Sequence, residues 1–405
     1  MNLITLFVDL KKMYHSLQDQ SLVLQQLKLK LTIDESSSSD CQSNGQLPTQ
    51  RQFPGIKAMI AISQAATSLE PFLNLLNLIQ LNNLRLFSNN FNGSLPSTIS
   101  NLVQLVEFVI SSNNFSGGIP NIFSNFTKLK SLSLLDNLFT GLFPSSVTNP
   151  AKLESLELSN CSITGPIPPI TTGFPNLILL FLADNSLTGE IPSWIFDLPS
   201  LKLLVMISNQ FTGQLKEFRY NLLEVLDLGE NMLHGPIPRS FSKLVNFTTI
   251  DISTNNFSGD LDIEDMALPS SIGRLYVSSC NIRELNFLQA ATRLGLLDLS
   301  NNKIYGKIPD WAWSDWQSSL FYLNLSSNFL TAIDPLHDFE GLVYLDLGSN
   351  LIQGELPAPP PRMFFFIVSK NNFTGKLPSP LCRMSTLVIL DLSSNSLSGV
   401  IPKCW

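Results

Sequence analysis

From residue 81 onward, apolar and polar positions recur in one order. Aligned on L-x-x-L-x-L-x-x-N-x-L-x-G-x-I-P, the asparagine position falls at 89, 113, 137, 161, 185, 209, 231, 255, 280, 302, 328, 350, 371 and 395. The spacings between these fourteen copies are 24 five times, then 22, 24, 25, 22, 26, 22, 21 and 24. Self-similarity sustained at one period marks a repeat architecture. In the last copy, Leu390-Asp391-Leu392 alternates as a short strand must, and Leu387, Leu397 and Ile401 turn inward from the flanking turns. Five buried aliphatics do not offset the backbone entropy of ordering about two dozen residues, so a coil folds only when stacked on its neighbours.

The polar positions have structural roles in this scheme. An inward asparagine after the strand can donate to and accept from backbone groups of its own and adjacent coils that would otherwise be buried unpaired. Gly93, Gly141, Gly189, Gly306 and Gly399 suit turns with open φ/ψ, and Pro96, Pro192, Pro309 and Pro402 exclude a central strand at their positions. The pattern therefore predicts an α/β repeat solenoid, with short parallel strands on one face and an irregular or 3-10 opposite side. Residues 1–80 lack this order and are expected to form a degenerate cap region ahead of the repeats at 81–405. Asp19 is placed to cap a short helix within Ser16 to Leu31, Ser36 to Phe53 reads as loop, and Leu69 to Leu81 as a degenerate first coil.

Composition narrows the function. Charged residues are 14% of the chain, against roughly a quarter in soluble domains, and 44% are hydrophobic, which argues for a large core rather than disorder. The 25 Lys and Arg against 32 Asp and Glu give a net charge of −7 without a basic patch, so nucleic acid is not an expected partner. No stretch reaches the 18–20 or so apolar residues of a membrane helix. The apolar run Leu3 to Val8 has no preceding base and is followed by Lys11-Lys12, so a secretory signal reads as absent or degraded.

The G-x-I-P ending on a 24-residue period resembles the plant-specific class of extracellular leucine-rich repeats. Within it, the segments Ser278 to Ile282, Leu297 to Trp311 and Leu323 to Asn328 are similar to plant receptor-like proteins of the disease-resistance type, and Asp19 to Lys28 is similar to the start of that family's cap. The resemblance covers about residues 81–405. It implies a leucine-rich-repeat solenoid with its strands on a concave face, belonging to a glycosylated cell-surface receptor at the plasma membrane. Such a receptor has one membrane helix, no kinase of its own, and partner receptor kinases through which it signals. The sequence departs from the family where a cap cysteine pair and tryptophan are expected: Cys41 stands alone and Trp194 is the first tryptophan. The family's distal repeats and membrane helix do not follow Trp405, so a fragment or truncated product is expected.

Several residues are candidates for function. Sequons occur at Asn92, Asn114, Asn125, Asn160, Asn246, Asn256, Asn324 and Asn372; glycosylation of several is expected on a secreted chain, although such triplets also arise by chance in an Asn/Ser-rich repeat. Asn114, Asn256 and Asn372 follow the asparagine position directly and should line one edge. Cys161 and Cys280 replace repeat asparagines about 24 Å apart, too far for a bridge, and read as buried free thiols. Cys382 and Cys404, 22 residues apart, are expected to pair across adjacent convex turns.

On the outward strand positions, Asp227, Asp251, Asp298, Asp346 and Asp391 recur four residues before the asparagine and read as a solvated acidic stripe. Six before it, Tyr322, Tyr344 and Phe365 fall in three consecutive coils, flanked by Phe321 and Phe364. Exposed stacked aromatics fit a binding face for a protein or peptide ligand, the alternative being packing against neighbouring side chains or against the distal region that the resemblance implies.

His15, His234 and His337 are scattered without ligand-spaced partners, and nucleotide-loop, hydrolase and kinase signatures are lacking, so neither enzyme activity, a metal nor a cofactor is expected. The favoured function is the ligand-recognition module of a plant receptor-like protein that perceives pathogen or developmental signals. The alternatives are a secreted leucine-rich-repeat inhibitor of wall-degrading enzymes and a truncated paralogue without a role.

Overall fold

The computed structural model describes residues 59–61, 79–169, 174–257, 267–336 and 339–403. The helix expected within residues 16–31, the loop over 36–53 and most of the degenerate coil at 69–81 lie outside them. Residues Lys57–Trp405 form one compact unit. Its spine is a fifteen-stranded sheet, counted among the described residues, in which every strand pairs in parallel with the strand of the next coil. The sheet begins at Met59–Ala61, ahead of residue 81, and runs through Asn83–Arg85 to Ile389–Asp391. Parallel pairing follows from the repeat: each coil crosses to the convex side and returns in the same direction, so like positions come into register, as in Tyr322 with Tyr344 and Leu323 with Leu345.

The central leucine of each strand faces the core. Leu132, Leu156, Leu180, Leu204, Leu226 and Leu323 have no exposed surface. Between the strand and the convex turn lies an aromatic row, where Phe91, Phe115 and Phe139 stack with ring centroids 6.0 and 6.2 Å apart. The asparagine row does what its chemistry predicts. Asn209 Nδ2 donates to the carbonyls of Met206 and Ile207 in its own coil and of Leu182 in the coil before, and its Oδ1 accepts the Leu187 N–H. Asn113, Asn137, Asn231, Asn302 and Asn350 are held alike.

Each residue just before this row, from Ser88 through Thr254 to Ser394, has positive φ, between 49 and 61°. This tight turn carries the chain from the strand into the asparagine.

The convex side is built as expected, from short 3-10 turns such as Ser97–Asn101, Arg239–Lys243 and Ser379–Arg383 and the short helices Ser193–Phe196 and Asp310–Trp316. Prolines in extended conformation, Pro96, Pro192, Pro238, Pro309 and Pro378, stand immediately before these turns. One feature departs from the expectation of an irregular return. The segment after the asparagine forms second parallel ladders on the flank, the longest joining six strands from Asn92–Gly93 to Gln210–Thr212. The reason is a local alternation around the inward residue: Leu138 and Thr140 are exposed on either side of buried Phe139.

Candidate ligand-recognition face

The outward positions of the main sheet divide along the solenoid into three zones. In the first, cations are already paired with acids of the next coil: Arg85 Nε donates to Glu107 at 2.8 Å, and Lys130 to Glu154 at 2.7 Å. Glu157 accepts from Ser133 and Ser155, both at 2.9 Å, yet burial pushes its carboxyl above the usual range.

The second zone is apolar and escaped sequence reasoning. The strands Leu179–Phe181 and Leu203–Val205 carry apolar residues at all three positions and are in register with each other, so an apolar pair of coils stands between Glu157, in register with Phe181, and Asp227, in register with Val205. Leu203 is in register with Val225, and Ile207 extends the patch toward the turn. Phe181, Leu203, Val205 and Ile207 are half-buried. The available signal was this loss of alternation in two consecutive coils.

The third zone holds the candidate aromatics and acids. Tyr322 and Tyr344 stack with centroids 4.2 Å apart and planes 10° from parallel, and Phe365 tilts against Tyr344 at 5.7 Å. All three are half-buried, as is Phe321, while Phe364 is 42% exposed. Phe321 lies over Gly295, where an added Cβ would meet its ring at 2.8 Å, so this aromatic packs on the neighbouring coil.

The reading of the aspartates as a solvated stripe needs correction. Asp251 and Asp298 are 2% and 1% exposed. Their carboxylates turn back along the chain to accept from Ser253 N–H at 2.9 Å and Ser300 N–H at 2.9 Å, and buried Tyr276 stands between them in register. Asp346 is half-buried and accepts the Gly348 N–H at 2.8 Å. Its carboxyl is pushed up to about 6 by burial and by the charges of Asp298 and Asp391. Burial and neighbouring acids also hold the Tyr322 and Tyr344 phenols above their ordinary value. Asp391, more open, is held low by hydrogen bonds from Ser393 and Ser369 despite the opposing effect of burial.

Seven sequon asparagines are exposed: Asn92, Asn114, Asn125, Asn160, Asn246, Asn256 and Asn372. Asn114, Asn256 and Asn372 each open a flanking strand. Asn324 differs. It is half-buried on the sheet face beside Tyr322, donates to Asp298 Oδ2 at 3.3 Å and accepts from Ser326 N–H at 3.1 Å.

Cys161 and Cys280 are free and buried, their sulfurs 3.4 to 3.8 Å from carbonyl oxygens. Burial raises their thiols to about 11 and about 12, which leaves little thiolate at neutral pH. Cys382 is disulfide-bonded; Cys404, its expected partner, lies outside the described residues.

His234 is exposed, and His15 and His337 lie outside the described residues. Among the described residues no group of His, Cys, Asp and Glu is placed to hold a metal ion, and no helix is long and apolar enough to cross a membrane.

Stacked coils, a parallel strand face and an asparagine ladder define a leucine-rich-repeat solenoid. The leucine-rich-repeat family model matches residues 104–126, 152–174, 176–198, 222–244, 293–314 and 386–405. By sequence the chain is homologous to plant receptor-like proteins: it is 37% identical over 196 residues to receptor-like protein 7 and 34% identical over 205 residues to receptor-like protein 54, both of Arabidopsis thaliana. These alignments take in 46% and 45% of the chain but 18% and 26% of those relatives, so the chain spans a minor part of their length. Among solved structures, the PEPR1–AtPEP1 complex is similar with a TM-score of 0.72 at 32% identity, over 82% of this chain and 48% of that one. The ectodomain of the Arabidopsis receptor kinase HAESA, solved with an N-terminally extended IDA peptide hormone ligand, gives a TM-score of 0.68 at 28% identity, over 82% of this chain and 62% of that one.

Proposed function

We propose that this chain is the extracellular ligand-recognition part of a plant cell-surface receptor-like protein, that its sheet face reads a protein or peptide ligand, and that signalling passes through partner receptor kinases. The observation that carries this reading is the stack of Tyr322, Tyr344 and Phe365 on outward positions of three consecutive coils, beside the half-buried carboxylate of Asp346. A soluble scaffold gains nothing by setting large rings and a poorly solvated acid on its open face, whereas aromatic residues are enriched at the cores of interfaces. Kinship with receptor-like proteins and likeness to peptide-bound receptor ectodomains support it. In the same reading the exposed sequons carry glycans, with Asn114, Asn256 and Asn372 on the flank.

The test is selection of random 16-residue peptides displayed on phage against the secreted chain, repeated with Tyr344→Ala. Peptides bound by the native chain should bind the variant at least tenfold more weakly. Losing the ring stack costs about 0.5–1.5 kcal/mol, so the melting temperature should fall by only about a few degrees. Selected peptides that ignore the substitution would count against the reading.

A further inference from the structure

Resting on that reading, we infer that the ligand is an extended peptide with an apolar side chain and a basic side chain about seven to nine residues apart. The apolar end is set by the second zone. Leu203 and Val205, with Phe181 in the neighbouring coil, present half-buried hydrocarbon in register, and an aliphatic or aromatic side chain laid across them removes that surface from water.

The basic end is set by charge. On the outward strand positions from Val225 to Asp391, the described residues include five aspartates against the single guanidinium of Arg274. Within that stretch, the half-buried rings of Tyr322 and Tyr344 stack on each other beside the carboxylate of Asp346. A guanidinium or ammonium seated there gains an ion pair with Asp346, and its charge opposes the burial and the charges of Asp298 and Asp391 that raise that carboxyl. An acidic ligand meets the same field as repulsion.

The separation follows from the topology. Five strand steps lead from Leu203–Val205 to Tyr322–Asn324, through the strands beginning at Val225, Thr249, Arg274 and Leu296, and a sixth reaches Tyr344–Asp346. At about 4.8 Å per step this is about 24 Å to the first ring and about 29 Å to the Asp346 carboxylate, and an extended chain rising about 3.3 Å per residue covers it in about seven to nine residues.

The test begins with the same 16-residue phage library, taking the peptides whose binding depends on Tyr344. Their sequences should share Arg or Lys about seven to nine positions from Leu, Ile, Val or Phe. In a synthetic peptide of that kind, replacing the basic residue by Glu should weaken binding at least tenfold, and Asp346→Asn in the chain about fivefold. Val205→Asp should weaken it at least tenfold while the melting temperature falls by only about a few degrees; Val205→Ser serves if the aspartate variant does not fold. Tyr344-dependent peptides that are acidic, lack the paired spacing or ignore both Val205 variants overturn the inference while leaving the recognition reading intact. A library that yields no Tyr344-dependent peptide overturns both.

Discussion

Two replacements of repeat asparagines show what that residue contributes. Where Asn137 makes three donations and accepts the Phe115 N–H, Cys161 offers long sulfur contacts to the Leu134 and Ser159 carbonyls and a weak sulfur acceptor to the Asn137 and Phe139 N–H groups. Cys161→Asn should therefore raise stability by about 1 kcal/mol, the net worth of recovered buried hydrogen bonds, read as a higher urea midpoint at unchanged slope. A lowered midpoint would mean that the larger amide does not fit this coil. Asp346 gives a prediction with a definite sign. Its folded carboxyl titrates near 6, above the ordinary value near 4, so the folded state holds this proton more tightly than the unfolded one. Its contribution to stability is then most favourable below about pH 4, declines as pH rises from 4 to 6, and is a constant penalty above. Asp391, held low, acts in the opposite direction, so the comparison has to be a difference. Relative to the native chain, Asp346→Asn should gain stability between pH 4 and 6, measured by denaturation at several pH values; a pH-independent difference would refute the assignment.

The flanking strands depend on one backbone choice. Gly165 has φ of +76°, and an added Cβ would stand 2.6 Å from Leu142 Cδ2. Gly118, on the same flank, has ordinary φ and meets nothing closer than the Thr140 carbonyl at 3.9 Å. Gly165→Ala should cost about 1–2 kcal/mol from the left-handed conformation, with some addition for moving the leucine, whereas Gly118→Ala should be close to neutral. Thermal melts of the pair make the comparison, and equal effects would show that the flanking ladder tolerates an altered turn. The turn preceding the asparagine is less selective in sequence, since Ser, Asp, Asn, Thr, Glu and Lys all adopt positive φ there. Its geometry is imposed by the hydrogen bonds on either side, and this is why no residue preference announced it.

Across the whole solenoid, stability is a sum over neighbouring coils. The interior coils are closed on both sides: Leu204 and Leu226 have no exposed surface. In the last described coil, Leu387, Leu390, Leu392 and Leu397 are only partly covered and Ile401 is 73% exposed. Amide hydrogen exchange should therefore be fastest in Ile389–Asp391, slower in Phe365–Ile367 and slowest around Val225–Asp227, as opening proceeds from the less covered coil. Uniform protection along the chain would contradict nearest-neighbour stability.

The repeat carried most of the fold in plain view. A fixed period of leucines, the inward asparagine, the glycine turns and the proline-led convex turns are local requirements repeated fourteen times, and each coil must satisfy them to stack at all. The aromatic trio could be placed on one face for the same reason, because register in a parallel stack follows from equal positions in successive coils. What the strand pattern could not disclose was how deep an outward residue lies. Asp251 and Asp298 occupy the same position as the half-buried Asp346 and make the same bond to their own turns, yet they are covered, because buried Tyr276 stands between them in register. Depth of this kind, and the run of apolar strand faces at Leu179–Phe181 and Leu203–Val205, depend on what neighbouring coils place alongside. Period and register are properties of one coil repeated, whereas solvent access and charge coupling arise between coils, and only the assembled stack decides them.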